Sequence, residues 1–273
     1  MLCTEETIDF IIYIISAYVG YFNVIIGLMG NIINIFVFTQ LKLFRRNQSA
    51  FYLTCASIVD SCQLILDIDL VSDLTRISLI WCKLRAYFSQ FTRIISTTII
   101  CFAAIDQYLS TNYHVQLRQM STFKSAQFLI SILIIFSFLY CIPFLIFHET
   151  RQYSDCATFH RIFNYFYSFA HYFMLLGILP IFISSLFSVL AYRNVRRIIR
   201  RQMAIVRRRL DRQLTAMILL RVALFVITNL PYTSYEIYEL NNSVVHDHTY
   251  SVLINELIEI ISITILKINY SVF

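Results

Sequence analysis

Seven stretches of this chain are mostly apolar over lengths that match a membrane: 10–39, 49–70, 84–109, 125–147, 165–192, 214–238 and 250–273. A helix needs about 20 mostly apolar residues to cross the hydrocarbon core of a bilayer. The runs are too long and continuous for barrel strands, which alternate in polarity over about ten residues. They predict an all-α membrane protein, a single seven-transmembrane helix bundle that takes up residues 1–273. Composition agrees, because only 14% of the residues are charged and 58% are hydrophobic, whereas a soluble domain carries roughly 25% charged residues. Glu5, Glu6 and Asp9 precede a first run far longer than a signal-peptide core, so it reads as an uncleaved span.

Orientation follows from lysine and arginine in the short connections. Fourteen of the 22 lie in the connections after the first, third and fifth runs, nine of them between Arg193 and Arg212; five lie in the opposite connections, and Arg93, Arg221 and Lys267 fall inside runs. The N-terminus is therefore expected outside and the Arg193–Arg212 segment in the cytosol, in a multi-pass plasma-membrane protein. Thirteen of the 16 acids collect on or near the outer side. The net charge of +6 is thus a matter of topology, and the lipid bilayer rather than nucleic acid is the expected partner. Cys82 and Cys156 both fall outside, where a disulfide between them can form. Asn241 is an outer glycosylation acceptor. His246-Asp247-His248 lacks a third strong ligand for a metal, so no metal is expected. There is no Gly-rich phosphate loop, nucleophile elbow or metalloprotease helix, hence no enzyme signature.

The order of several motifs resembles the rhodopsin-like (class A) G-protein-coupled receptor family, over essentially the whole chain. Gly30-Asn31 in the first run, Asp60 in the second, Trp81-Cys82 before the third, Asp106-Gln107-Tyr108 at its end, Pro143, Pro180, and Phe225 with Asn229-Leu230-Pro231-Tyr232 look like the family's GN, mid-span acid, disulfide cysteine, DRY, proline and FxxCWxPY positions. The 25 residues from Cys82 to Gln107 span about 37 Å as one helix, which puts the two motifs on opposite faces of the membrane. The family pattern is departed from at Gln107, which replaces arginine, at Asn229, which replaces the aromatic toggle, in the missing tryptophan of the fourth run, and at Phe273, where the chain stops near the start of NPxxY. The expectation is a fragment, a truncated gene or a degenerate receptor.

What the resemblance implies is a receptor for an extracellular ligand that signals to heterotrimeric G proteins. Ser89, Gln90, Arg93, Tyr172, Tyr232, Glu236 and Glu259 are the implied ligand-binding residues. Arg93 is either a ligand anchor on the pocket floor or half of a structural pair with Glu236 or Glu259. Asn31, Asp60, Ser96 and Asn269 are the implied sodium or switch residues; Asp60 either holds a sodium ion or is a neutral acid bonded to Asn31, and no other cofactor is expected. Asp106, Gln107, Tyr108 and Asp211 are the implied G-protein-facing residues, with a Gln107–Asp211 hydrogen bond at most in place of a salt bridge. Outer acids favour a cationic ligand, and Ser89 at the usual amine-anchoring position favours a neuropeptide over an amine. The alternatives are a non-signalling decoy or scaffold, an opsin-like retinal protein using Lys267, which Arg85 at the counter-ion position opposes, and a transporter.

Overall fold

A computed structural model describes residues 2–41, 47–68, 78–149, 156–158, 160–198, 205–242 and 249–271. Among them are seven long helices. The first runs Leu2–Ile14, widens into a π-helical turn at Ile15–Val19 and continues as Gly20–Gln40; the second is Gln48–Leu66 and the third Leu79–Ser110. The fourth, Phe123–Tyr140, is continued past Cys141 by Ile142–Phe147, with Pro143 in its first turn, where a missing N–H costs nothing. The fifth is Arg161–Phe166, a π-helical stretch Tyr167–Ile178 and Leu179–Ile198; the sixth is Ile205–Asn242 and the seventh Thr249–Ser271.

Starts are set locally. Asn47 and Thr122 cap the second and fourth helices by accepting from the Ala50 and Ser125 amides, each at 3.1 Å, which satisfies amides that a helix start otherwise leaves orphaned. The third helix begins at Leu79, five residues before the apolar run at 84–109, because Lys83 and Arg85 interrupt the apolar pattern without interrupting the backbone. Six spans among the described residues are long and apolar enough to cross a membrane: Phe10–Gln40, Gln48–Leu66, Leu79–Ser110, Phe123–Phe147, Arg161–Arg196 and Gln213–Glu239. Six of the seven expected spans are thus found by length and composition. The seventh helix, of 23 residues, is interrupted by Glu256, Glu259 and Lys267 and is not among the six.

The helices pack in a ring, each of the first, second, third, fifth and sixth against the next along this order, and the seventh against both sixth and first. The third helix also touches the fourth and sixth and carries buried residues all the way from Cys82 to Gln107; it is the axis of the bundle. Phe36, Phe128, Phe182 and Ile227 stand outward with 65–66% of their surface exposed, while Asn31, Asp60, Gln63, Gln107, Arg221 and Asn229 are buried. An apolar exterior around a polar interior is stable only where lipid replaces water.

Two backbone details hold helices close. A Cβ on Gly27 would come within 2.6 Å of Leu64 Cδ1 and 2.8 Å of Ser271 Cα, so the crossing of the first helix with the second and seventh needs glycine. Pro180 offers no N–H to the carbonyl four residues earlier, that of Leu176. Asn229 of the sixth helix donates to that carbonyl at 2.6 Å. At one end of the bundle, β1 (His148–Glu149) pairs antiparallel with β2 (Ala157–Thr158), His148 opposite Thr158. The Cys82–Cys156 disulfide, with Cα atoms 5.6 Å apart, ties this hairpin to the start of the third helix.

Candidate ligand cavity and polar spine

At the disulfide end, the third, fifth, sixth and seventh helices and the hairpin enclose a cavity of about 400 Å³, within the size range of small-ligand pockets. Ser89, Gln90, Arg93, Tyr172, Tyr232, Glu236 and Glu259 all line it, together with Asp67, Arg85, Glu239 and His148. Four carboxylates thus face two guanidinium groups. The wall is a hydrogen-bonded chain. His171 Nε2 donates to Gln90 Oε1 (2.9 Å), Gln90 Nε2 donates to the Tyr167 hydroxyl (2.7 Å), and that hydroxyl bonds to Tyr172 (2.9 Å), which bonds to Tyr232 (3.3 Å). Arg93 closes the chain by donating from Nη1 to the Tyr232 hydroxyl, with its guanidinium 4.9 Å from that ring's centroid.

No carboxylate among the described side chains is in ion-pair contact with Arg93, and its buried Nε has no hydrogen-bond partner. The alternative of an Arg93 ion pair with Glu236 or Glu259 is therefore replaced by a tyrosine contact: Tyr232, one helical turn before Glu236, meets the guanidinium. Glu236 is instead faced by the Tyr232 and Tyr172 hydroxyls. Asp67 accepts from Gln63 Nε2 at 3.0 and 3.1 Å, and Gln63 accepts from Thr92. At the cavity mouth, burial and, to a lesser degree, Lys83 push the His148 imidazole down to about 4 against the opposing Phe144 carbonyl. It is neutral at pH 7.

Below the cavity, Asp60 of the second helix is fully buried, facing Ser96 of the third. Ser96 Oγ donates to its Oδ1 at 2.6 Å, and Arg221 Nη2 donates to its Oδ2 in a salt bridge buried on both sides. Asn31 does not reach Asp60; its Nδ2 donates to the Tyr270 carbonyl at 2.9 Å. Asn269 is buried, and its Oδ1, like that of Asn31, has no partner. These four residues do not fit a sodium ion while Arg221 is in place. Both carboxylate oxygens are engaged, and two like charges about 4 Å apart repel by roughly 4 kcal/mol at an effective dielectric of 20.

At the far end of the third helix, Gln107 Oε1 accepts from Ser49 (2.9 Å) and its Nε2 donates to Thr215, joining the second, third and sixth helices. Asp106 does not touch Gln107; its Oδ1 accepts from Ser121 at 2.7 Å. Tyr108 packs on Phe187, with ring centroids 5.4 Å apart. The backbone of Asp211 is helical, but its side chain lies outside the described residues. So do the side chains of Asn241 and of residues 197–212, and all of His246-Asp247-His248.

Each of the three levels draws one residue from the third helix: Arg93, Ser96 and Gln107. A family profile described as 7 transmembrane receptor (rhodopsin family) matches residues 30–269. The chain belongs to this family. No curated protein matches it. In this receptor, then, seven predicted ligand-facing residues meet at one cavity, and Ser96 meets Asp60, whereas Asn31 and Asn269 are buried nearby without touching the carboxylate. Lys267 Nζ donates to the Asp67 backbone carbonyl at 3.2 Å, a structural bond at the position that an opsin uses for retinal. Two residues that complete these contacts, Arg221 and Thr215, were not among the site residues the sequence indicated. Arg221 carried a signal, since an arginine inside a membrane span needs an anion at its own depth, and Asp60 is the mid-span acid available. Thr215, an ordinary residue in an apolar run, carried none.

Proposed function

We propose that this receptor lies in the plasma membrane with its N-terminus outside and its seventh helix, Thr249–Ser271, also crossing the bilayer. It takes a cationic extracellular ligand, a peptide, in the cavity at the disulfide end and signals through heterotrimeric G proteins at the Gln107 end. The observation that carries this reading is the cavity: the positions the family uses for ligand and an excess of carboxylates over guanidinium groups coincide there. Two ties, Thr215–Gln107–Ser49 and Arg221–Asp60, fasten the sixth helix at and below the bilayer middle. Ligand bound against Arg93 and Tyr232 touches the third and sixth helices together. It would shift a pre-existing equilibrium toward a state in which both ties open. Moving that equilibrium from 1:99 to 99:1 requires about 10⁴-fold tighter binding to the open state. No cofactor is needed, because Arg221 supplies the positive charge beside Asp60.

A second reading, a decoy that binds ligand without signalling, is favoured by one observation. Gln107 is neutral and forms only hydrogen bonds, weaker than the charge-assisted contacts of an arginine. Nucleotide exchange on a panel of G proteins, measured for the wild type and Gln107→Arg in nanodiscs, separates the two. Exchange by the wild type supports signalling. Exchange by the arginine variant alone supports the decoy, and silence in both refutes coupling to that panel.

A further inference from the structure

The cavity floor is positive, and the wall above it carries an excess of acids. Arg93 lies eleven residues beyond Cys82 along the third helix, so about 16 Å deeper than the disulfide. Its guanidinium has a neutral phenol and an aromatic face for company, an unpartnered Nε, and no carboxylate in contact among the described side chains. A guanidinium is never deprotonated in a protein, and its planar fork matches a carboxylate with two parallel bonds. Above it, the same cavity is lined by Asp67, Glu236, Glu239 and Glu259. Glu236 lies one helical turn beyond Tyr232 and Glu239 nearly another; Arg85, three residues from Cys82, also lines the cavity, so the wall above Arg93 holds four acids to one guanidinium.

We infer that the occupant is zwitterionic and enters in one direction: a short basic peptide whose C-terminal carboxylate seats on Arg93 while its basic residues lie among the four acids. The inference rests on reading this cavity as the extracellular ligand site. A cation alone would satisfy the rim and leave the floor guanidinium unpaired and freshly desolvated, which is costly. An anion alone would satisfy the floor and be repelled at the mouth. An extended chain rises about 3.3 Å per residue, so five residues cover the distance from the disulfide to Arg93. The tyrosines Tyr167, Tyr172 and Tyr232 present the apolar faces that the peptide's last residues would meet.

The test uses the whole chain in nanodiscs and a mixed pool of pentapeptides with two N-terminal arginines or lysines and three apolar residues after them. The pool is made as free acids and as C-terminal amides, and free arginine serves as a third probe. The expected result is that the acids bind about 10- to 100-fold tighter than the amides, as loss of a hydrogen-bonded charged partner implies. Arg93→Gln should erase the difference, and Arg93→Lys should restore part of it. Equal binding of acids and amides by the wild type would overturn the carboxylate seat while leaving a receptor for cationic peptides standing. An acid preference that survives Arg93→Gln would place the carboxylate elsewhere and also overturn it. Free arginine binding as tightly as the acids would overturn the peptide in favour of a single amino acid. A cooperatively melting receptor that binds none of the probes would sink both this inference and the reading beneath it.

Discussion

Replacing Arg221 by methionine keeps the length of the side chain and removes its charge. Asp60, fully buried, would then retain the Ser96 hydroxyl and lose its counter-charge. Removing one partner of a buried pair costs about 3–5 kcal/mol. A second route to the magnitude starts from protonation. An ordinary aspartate needs about three pH units to be neutral at pH 7, or roughly 4 kcal/mol, and that caps the penalty because Asp60 can escape by taking a proton. At about 2–4 °C per kcal/mol for a chain of this size, Arg221→Met should lower the melting temperature by roughly 6–16 °C. Asp60→Leu combined with Arg221→Met removes both charges and should recover most of the loss, since apolar replacement of a whole buried pair is often neutral. A thiol-reactive dye reads the transition, because Cys101 and Cys141 are free and buried and become accessible on unfolding. An Arg221→Met protein melting within about 2 °C of wild type, or a double variant as unstable as the single, would refute the reasoning.

Asn229→Leu should destabilise the receptor by about 1–3 kcal/mol, the cost of a buried carbonyl left without a donor, and hydrogen exchange around Leu176–Pro180 should rise; unchanged protection there would refute it. The His148 imidazole titrates near 4 in the folded state and near 6.5 when unfolded. Below about pH 6.5 the unfolded chain takes up a proton that the folded receptor refuses, so stability falls as pH drops toward 4, by about 3 kcal/mol in full. Melts of wild type and His148→Asn from pH 7.5 to 4.5 check this, and parallel curves would count against it. Gln107→Arg should raise nucleotide exchange if the arginine is what the wild type lacks at this position, and equal exchange would argue that Thr215 and Ser49 already make a working latch.

How much was legible differs between levels. Hydropathy announced the runs, but the seventh helix shows where a sum over residues fails: Glu256, Glu259 and Lys267 lower its apolarity, and packing against the first, second and sixth helices still holds it in the ring. The cavity residues were legible because each sits at a motif-anchored height on its own helix, and height along a helix is countable at about 1.5 Å per residue. Their partners were not. As a structural pair, Arg93 had Glu236 or Glu259 as candidates by charge, yet Tyr232 meets it. Gln107 bonds with Thr215, one turn along the sixth helix from Asp211, whose side chain lies outside the described residues.

The order of residues alone decided that lipid is the solvent, how many helices form, which end carries the disulfide and how deep each polar side chain lies, because those follow from local composition and a fixed helical rise. Which polar groups touch was decided only by the assembled bundle. Contact across helices depends on the rotation and offset of each one about its own axis, and these are set by close approaches such as Gly27 against Leu64 and Ser271. No single helix carries that information.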